Sequence, residues 1–224
     1  MMLVETQRKT ITVGVVEPQE AIQYAISMLL NSQQDSEVVG VEATGEDGMR
    51  MLIEKRPKIA IVEVDLESRS GFELAGDLVM RQRETKVIFY SSAMPDIYIE
   101  QALRSKAAGY VLKSDSLACL LTAVQAVAKG GTFYSEAIRD RVSIDPATGS
   151  TRAQFESRMT QLSDRQLEVL RHLAYGLSVK DVARKMHISV KSVDSHKYRI
   201  MQSLGIHDRV DLARYAIREG LVCA

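Results

Sequence analysis

The stretch LSDRQLEVLRHLAYGLSVKDVARKMHISVKSVDSHKYRIMQSLGIHDRVDLARYAIREGLV, from Leu162 to Val222, has the punctuation of a run of helices. Ser163, followed three residues later by Gln166, forms a capping box that satisfies free backbone N–H groups at a helix start. Glycines after the first and third predicted helices are typical C-terminal stops. The first predicted helix begins after Ser163 and ends at Gly176. The second begins after Ser178 and ends before Met186, and the third begins after Ser189 and ends at Leu204–Gly205. The fourth spans Asp208–Arg218.

The second and third predicted helices are joined across Met186, His187 and Ile188. This is the size of a helix-turn-helix, in which the second helix of the pair enters the major groove of DNA. One face of that helix repeats at helical spacing and is predicted to pack inward. Its members are Val193, His196 or Lys197, Ile200 and Leu204.

The opposite face of the same helix has the chemistry of a DNA reader. An aspartate accepts a hydrogen bond from a cytosine amino group, and Ser or Tyr hydroxyls bond either way or contact a thymine methyl group. Periodicity alone does not distinguish a DNA-reading face from the polar, solvent-exposed face that any surface helix has. Its members are Lys191, Asp194, Ser195 and Tyr198, flanked by Lys197 and Arg199 for phosphate contacts.

Charge is distributed unevenly along the 224 residues, although the formal net charge is zero. From Met159 to Ala224 there are 11 Lys and Arg against 7 Asp and Glu, so the preceding residues are acidic on balance. A basic C-terminal part fits an anion-binding module, because clustered cations attract phosphates. A charge imbalance of this size also arises by chance on an ordinary solvated surface. It therefore supports the helix-turn-helix prediction but does not establish it.

Residues 1–130 alternate short β-branched runs with amphipathic segments, which is the pattern of a parallel sheet with crossover helices. The runs lack proline and are mostly apolar on both faces, as buried parallel strands are. We therefore expect a flavodoxin-like, doubly wound α/β sheet of five parallel strands. The predicted strands are Thr12–Val16, Val38–Val41, Ile59–Val64, Val87–Tyr90 and Tyr110–Leu112.

The sequence predicts two domains and a connection between them. The connection is irregular from Gly130 to about Arg158, with Pro146 and Gly149, and suggests one short helix. We expect an α/β domain at 1–130, a linker at 131–158 and an all-α, four-helix domain at 159–224. Cys119 and Cys223 lack the spacing of a metal site or a disulfide framework.

Two classes of protein are disfavoured by composition. No segment reaches the ~18 apolar residues of a membrane-spanning helix. The N-terminus, MMLVETQRKT, lacks the apolar run of a secretory signal. We expect a cytoplasmic protein without a membrane partner.

The C-terminal stretch from Leu162 to Val222 resembles a LuxR-type helix-turn-helix domain nearly end to end, and this resemblance implies binding to double-stranded DNA. Ser203 is a departure, because the family commonly has lysine there, and Lys197 or Arg199 would have to replace its phosphate contact. The residues that match the family pattern are Glu168, Gly176, Leu177, Val193, His196, Ile200, Leu204 and Gly205. Those that the resemblance implies at the DNA are Lys191, Ser192, Asp194, Ser195, Lys197, Tyr198 and Arg199, of which Asp194, Ser195 and Tyr198 are unusual base readers for the family.

Residues Ile11 to Lys129 resemble a response-regulator receiver, so that the whole chain resembles a NarL/FixJ-type regulator. Such receivers accept a phosphoryl group on an aspartate after the third strand, with Mg²⁺ held by that aspartate and by an acidic pair after the first strand. In ITVGVVEPQE the acidic-pair positions fall on Glu17 and Pro18. In PKIAIVEVDLESRSG the acceptor position falls on Glu63.

These substitutions predict an atypical receiver that lacks the phospho-acceptor aspartate. Pro18 has no metal ligand, and the family's Met-Pro pair is replaced by Leu66-Glu67. The longer side chain of Glu63 shifts its carboxylate away from in-line geometry, while its permanent charge partly imitates a phosphorylated aspartate. We therefore expect no cofactor, and no Mg²⁺ site in particular.

Three other switch positions of the family are retained, namely Ser91, Tyr110 and Lys113. We hypothesise that an ion pair between Lys113 and Glu63 holds the receiver-like domain toward one conformation, with regulation by a signalling protein, a ligand or the expression level. An alternative moves phosphorylation to Asp65, with Glu17 and Glu63 holding the metal. A shift of two residues, roughly 6 to 7 Å along a strand, would take Asp65 away from Lys113 and Ser91.

The sequence also bears on two other classes of function. An enzyme is disfavoured, because VVEPQEAI replaces a Gly-rich phosphate loop after the first strand and the four histidines lie in the helical part without ligand spacing. A protein-interaction adaptor remains an alternative, which salt-sensitive binding to duplex DNA would separate from a DNA-binding regulator. We expect a homodimer, because helix-turn-helix proteins commonly read paired half-sites.

Overall fold

A parallel sheet of six strands organises the N-terminal half of the computed structural model, which describes residues 10–144, 151–153 and 158–222. The strand order is β2-β1-β3-β4-β5-β6. The first five strands follow the 2-1-3-4-5 order of flavodoxin-like sheets. The strands are β1 (Ile11–Val16), β2 (Ser36–Glu42), β3 (Ile59–Val62), β4 (Lys86–Ser91), β5 (Gly109–Leu112) and β6 (Phe133–Tyr134).

The prediction of five strands is one strand short. β6 pairs in parallel with β5, Gly109 opposite Phe133 and Tyr110 opposite Tyr134. A strand of two residues is too short to show an alternating pattern, which is why this stretch was assigned to the linker. Four of the predicted strands lie within the observed ones.

The third predicted strand was extended too far, since β3 ends at Val62 and not at Val64. The Glu63 carboxylate accepts hydrogen bonds from the backbone N–H groups of Val64 at 2.6 Å and Asp65 at 3.3 Å. These N–H groups are bound by a side chain and not by a neighbouring strand, so the chain leaves the sheet here.

Helices cover both faces of the sheet. Along β3, Ile59 and Ile61 pack with α1 and α5 residues, whereas Ala60 and Val62 belong to the apolar cluster on the other face, with α2, α3 and α4. This alternation follows from the period of two along a strand. The helices are α1 (Glu20–Asn31), α2 (Gly45–Lys55), α3 (Gly71–Arg81), α4 (Asp96–Arg104) and α5 (Leu117–Ala128).

The stretch predicted as a linker contains regular elements in its described part. After β6 come α6 (Glu136–Arg139) and an antiparallel pair, β7 (Val142–Ile144) and β8 (Thr151–Ala153). These elements are short, so their sequences resemble loops. Pro146 and Gly149 lie outside the described residues, as does Cys223.

The C-terminal part is helical. Ser163, Ser178 and Ser189 each accept a hydrogen bond from a backbone N–H of the helix they begin, and Ser163 with Gln166 forms the predicted capping box. Gly205 has φ +68°, a left-handed conformation that glycine adopts readily at the end of a helix. A 3-10 turn at Arg158–Gln161 precedes α7 (Asp164–Ala174), α8 (Val179–Lys185), α9 (Val190–Leu204) and α10 (Arg209–Arg218).

None of the helices in the described ranges has the length and apolar character needed to cross a membrane.

Candidate functional site

Three charged side chains meet at the carboxyl edge of the sheet. Glu17, Glu63 and Lys113 directly follow β1, β3 and β5, and the carboxyl ends of parallel strands lie at one edge. The Lys113 Nζ lies 2.7 Å from Oε2 of Glu17 and 2.7 Å from Oε2 of Glu63. The ion pair between Lys113 and Glu63 that the sequence predicts is therefore present. The sequence did not predict that Glu17 would share the same ammonium group.

This cluster is enclosed, with side-chain exposures of 2% for Glu17 and 8% for both Glu63 and Lys113. Burial lowers the pKa of Lys113, but the hydrogen bonds and the charge attraction of both glutamates together outweigh this effect and leave its pKa above the ordinary value. Burial raises the pKa of Glu17, and the contacts with Lys113 and the Gln19 N–H only partly oppose it. A buried cation between two carboxylates needs such hydrogen bonds to persist.

The residues at this edge do not fit Mg²⁺. Pro18 offers no oxygen ligand from its side chain, and the Lys113 ammonium group lies between the two carboxylates that would have to bind the ion. Mg²⁺ requires an octahedral shell of oxygen ligands. The Lys113 ammonium group, in contact with the same oxygens, would repel the ion. In the described ranges no cluster of His, Cys, Asp and Glu is arranged to hold a metal ion.

Ser91 and Tyr110 converge on the backbone of Ala93. The Ser91 hydroxyl accepts from the Ala93 N–H at 3.3 Å, and the Tyr110 hydroxyl donates to the Ala93 carbonyl at 2.5 Å. Both side chains are buried, and burial raises the pKa of Tyr110 well above its ordinary value. Tyr110 therefore points inward, with its hydroxyl attached to the loop that follows β4.

A row of aromatic rings leads from Tyr110 to the helical part of the chain. Ring centroids lie 5.9 Å apart for Tyr110 and Phe89, 5.0 Å for Phe89 and Phe72, and 5.3 Å for Phe72 and Tyr98. The guanidinium group of Arg171, in α7, lies 4.8 Å from the centre of the Tyr98 ring. Rings at these separations are in contact, so displacement of one ring requires its neighbour to move.

Asp65 lies apart from the charged cluster and contacts α7. Its carboxylate is 2.6 Å from Arg171 Nη1 and accepts a hydrogen bond from the Tyr98 hydroxyl at 3.1 Å. Arg171 is buried and Asp65 is half-exposed. The residue considered as an alternative phosphate acceptor is thus bound by the helical half of the chain.

A second arginine joins the two halves. Arg165 lies 3.2 Å from Glu73 in α3 and 2.7 Å from Glu168 in its own helix, and it donates to the Met186 carbonyl at 2.8 Å. Burial, together with the charge of Glu73, raises the pKa of Glu168 to about 7 although Arg165 opposes the shift. Sequence reasoning missed both arginines as contacts. The one available signal was Arg171, a charged residue between the apolar Leu170 and Leu173.

Polar contacts from α4 extend the same interface. Gln101 donates to Asp164 at 3.1 Å, and Arg104 donates to the Leu162 carbonyl at 3.1 Å. Apolar residues of the helical half and of the α2–α4 side of the sheet belong to one continuous core cluster. The helical half is therefore packed against the α/β half through α7 and the turn that precedes it.

The predicted inward and outward faces of α9 are observed. Val193, Ile200 and Leu204 are buried, and His196 and Lys197 are half-buried. Ser192 is half-buried, and its hydroxyl lies 2.8 Å from that of Ser189. The remaining predicted DNA contacts, Lys191, Asp194, Ser195, Tyr198 and Arg199, are exposed, with Tyr198 at 68%.

Six exposed residues of α9 line an open depression, which we call the α9 surface; its members are Val190, Lys191, Asp194, Ser195, Tyr198 and Arg199. Within the described ranges, Lys191 and Arg199 have no ion pair, so their charges are available to a polyanion. Packing through α7 leaves this surface uncovered by the α/β half.

Family models match both halves of the chain. Residues 13–125 match the response regulator receiver domain, and residues 160–216 match the luxR family of bacterial regulatory proteins. The chain is 27% identical over 212 residues to the uncharacterised transcriptional regulatory protein YxjL of Bacillus subtilis, covering 95% of this chain and 97% of that protein. It is 28% identical over 211 residues to the oxygen regulatory protein NreC of Staphylococcus aureus, covering 93% of this chain and 97% of that protein.

Solved structures share the fold. The response regulator RcsB of Salmonella typhimurium aligns with a TM-score of 0.70 and 20% identity, over 95% of this chain and 99% of that one. RcsB bound to the promoter rprA in the presence of the phosphomimetic BeF3⁻ aligns with a TM-score of 0.67 and 19% identity, over 92% and 98%.

Proposed function

Because this chain belongs to the NarL/FixJ-type response regulators, with a receiver domain followed by a luxR-type DNA-binding domain, we propose that it regulates transcription by binding specific duplex DNA through α9. The observation that carries the proposal is the α9 surface, where exposed cations that form no ion pair in the part of the chain that the structure describes flank polar side chains. Lys191, Lys197 and Arg199 contact phosphates, since cations bind the backbone of any sequence.

Base reading falls to Asp194, Ser195 and Tyr198, and Ser192 lies beside them in the first turn of α9. We assign residues 1–130 to the receiver-like domain, 131–158 to the connection, whose strand β6 adds to the receiver sheet, and 159–224 to the DNA-binding domain. Binding of the full chain to duplex DNA at increasing salt tests this proposal. A steep loss of affinity is expected for phosphate contacts, and no binding at low salt would contradict it.

We further propose that the receiver-like domain signals without aspartyl phosphorylation. Lys113 contacts both carboxylates of the edge cluster, and Glu63 stands at the acceptor position, so a negative charge is permanently paired with the switch lysine. Regulation then comes from a protein or small ligand that binds this domain, or from expression level. A Glu63→Gln variant with unchanged DNA affinity and oligomeric state would contradict this role of the ion pair.

Phosphorylation at Asp65 is the alternative, and the geometry disfavours it. The Asp65 carboxylate is engaged by Arg171 and Tyr98, and it lies among the contacts to α7 and not in the edge cluster. Both contacts fall on Oδ1 of the half-exposed Asp65 side chain, so phosphoryl transfer to that oxygen would break its pair with the buried Arg171. Treatment with a small-molecule phosphodonor and Mg²⁺, followed by intact mass, distinguishes the two proposals.

We propose a homodimer in the cytoplasm as the DNA-binding form. One RcsB structure contains two RcsB dimers bound to DNA, and a dimer matches the paired half-sites that helix-turn-helix proteins commonly read. The molar mass of the full chain, with and without duplex, tests the assembly.

A further inference from the structure

The α9 surface carries an acidic group where a polyanion should dock. Asp194 is exposed, and within the described ranges its carboxylate has no hydrogen bond or ion pair. Two other acids of the helical half have local roles, since Asp208 caps α10 and Glu168 pairs with Arg165. Asp194 therefore places an exposed carboxylate in the middle of the surface proposed to face DNA.

Three residues spaced four apart, Val190, Asp194 and Tyr198, form one stripe along α9. Val190 is 44% exposed and Tyr198 is 68% exposed, so apolar surface lies on either side of the carboxylate. Residues four apart are about 6 Å apart along a helix axis, which is close to two base pairs of duplex DNA. The stripe is thus long enough to contact several adjacent base pairs.

A carboxylate on this stripe opposes binding to most sequences. Phosphates within about 8 Å repel it at physiological ionic strength. The repulsion is offset only where a base offers an amino hydrogen in the major groove. Cytosine N4 is the suitable donor, whereas the adenine amino group lies beside N7, an acceptor that a carboxylate avoids.

Resting on the proposed DNA binding, we propose that Asp194 is the specificity-determining residue of the α9 surface. It favours a cytosine at one position of the half-site and disfavours all sequences that lack one there. Val190 contacts a thymine methyl group about two base pairs from that cytosine. Lys191 and Arg199 supply affinity for any duplex, and Asp194 restricts that affinity to the cognate one.

Selection from a random duplex library, with the full chain and two variants, tests this role. Asp194→Asn keeps the shape of the side chain and removes its charge. Asp211→Asn removes the same charge from α10, where Asp211 is exposed and away from the stripe. We expect the unmodified chain and Asp211→Asn to enrich the same cytosine, and Asp194→Asn to lose that preference by about tenfold.

The affinity for duplexes without the cytosine is the second readout. It should rise in Asp194→Asn and stay constant in Asp211→Asn. An unchanged base preference in Asp194→Asn, or an equal gain of affinity in both variants, would overturn the role of Asp194. Absence of DNA binding by all three proteins would instead contradict the proposed function itself.

Discussion

The guanidinium group of Arg171 lies 2.6 Å from the carboxylate of Asp65, a contact between residues 106 positions apart that joins the helical half of the chain to the α/β half. Arg171 is buried beneath this contact and stacks on Tyr98, whose hydroxyl bonds to the same carboxylate. The two halves are therefore held together by a specific polar contact as well as by apolar packing.

We predict that Arg171 and Asp65 are energetically coupled. Arg171→Met removes the charge that pairs with Asp65, and Asp65→Asn removes the counterion of Arg171, so the double variant should lose less stability than the two single variants combined. The coupling should be about 1 kcal/mol, because the half-exposed Asp65 is partly screened by water. Chemical denaturation of the four proteins measures it, and strictly additive losses would contradict a direct interaction.

Glu168 should make stability depend on pH. Its folded pKa of about 7 lies above the ordinary value of 4.5, so the folded state binds more protons between these values and Glu168 destabilises the fold as pH rises through this window. His172 acts oppositely, because burial lowers its pKa to about 4 and its contribution to stability grows as pH rises toward 6.5.

The difference between the unmodified chain and Glu168→Gln isolates the glutamate. Relative to the variant, the unmodified chain should lose up to about 3 kcal/mol of unfolding free energy between pH 4.5 and 7. Urea denaturation at several pH values measures this loss. A constant difference across the window would show that the pKa of Glu168 is the same in the folded and unfolded states.

The edge cluster should depend on its cation. Lys113→Met leaves Glu17 and Glu63 enclosed without a counterion, and we expect a loss of about 3 kcal/mol at pH 7 that diminishes at lower pH as a carboxylate takes up a proton. The triple variant Glu17→Gln, Glu63→Gln, Lys113→Met is the matched control. It should recover most of the loss, because no unpaired charge remains buried. Equal stability of the single and triple variants would contradict this electrostatic explanation.

Phosphate contacts from α9 should appear in the salt dependence of DNA binding. The slope of log affinity against log salt concentration should fall by about one for Lys191→Ala and for Arg199→Ala. Lys129→Ala, at the end of α5 in the α/β half, provides the control and should leave the slope unchanged. Equal slopes for all of these proteins would place the DNA contacts elsewhere.

Local sequence patterns predicted much of the fold. Strands such as Thr12–Val16 and the caps at Ser163, Ser178 and Ser189 are encoded within a few residues of each other, so hydrophobic periodicity and capping chemistry were sufficient. The sixth strand was missed because Phe133–Tyr134 has only two residues. Its existence depends on pairing with β5, which no local pattern reports.

The site was predictable where position in the fold determines proximity. Glu63 and Lys113 both follow strands at the carboxyl edge of one parallel sheet and occupy positions that the family resemblance pairs, so their ion pair could be anticipated. The contacts of Arg171 and Arg165 with the α/β half could not, because they depend on how α7 packs against α3 and α4. Side chains that join two parts of the chain distant in sequence leave no periodic signal in either part.

Phosphodonor treatment tests the central claim most directly. Intact mass and duplex-DNA affinity of the full chain should be measured with and without a small-molecule phosphodonor and Mg²⁺. We expect DNA binding, no added phosphoryl mass and no change in affinity. Lys113 is paired with both Glu17 and Glu63, and Arg171 is paired with Asp65. A phosphoryl adduct that changes the affinity would contradict phosphorylation-independent signalling, and loss of that adduct in Asp65→Asn would identify the acceptor.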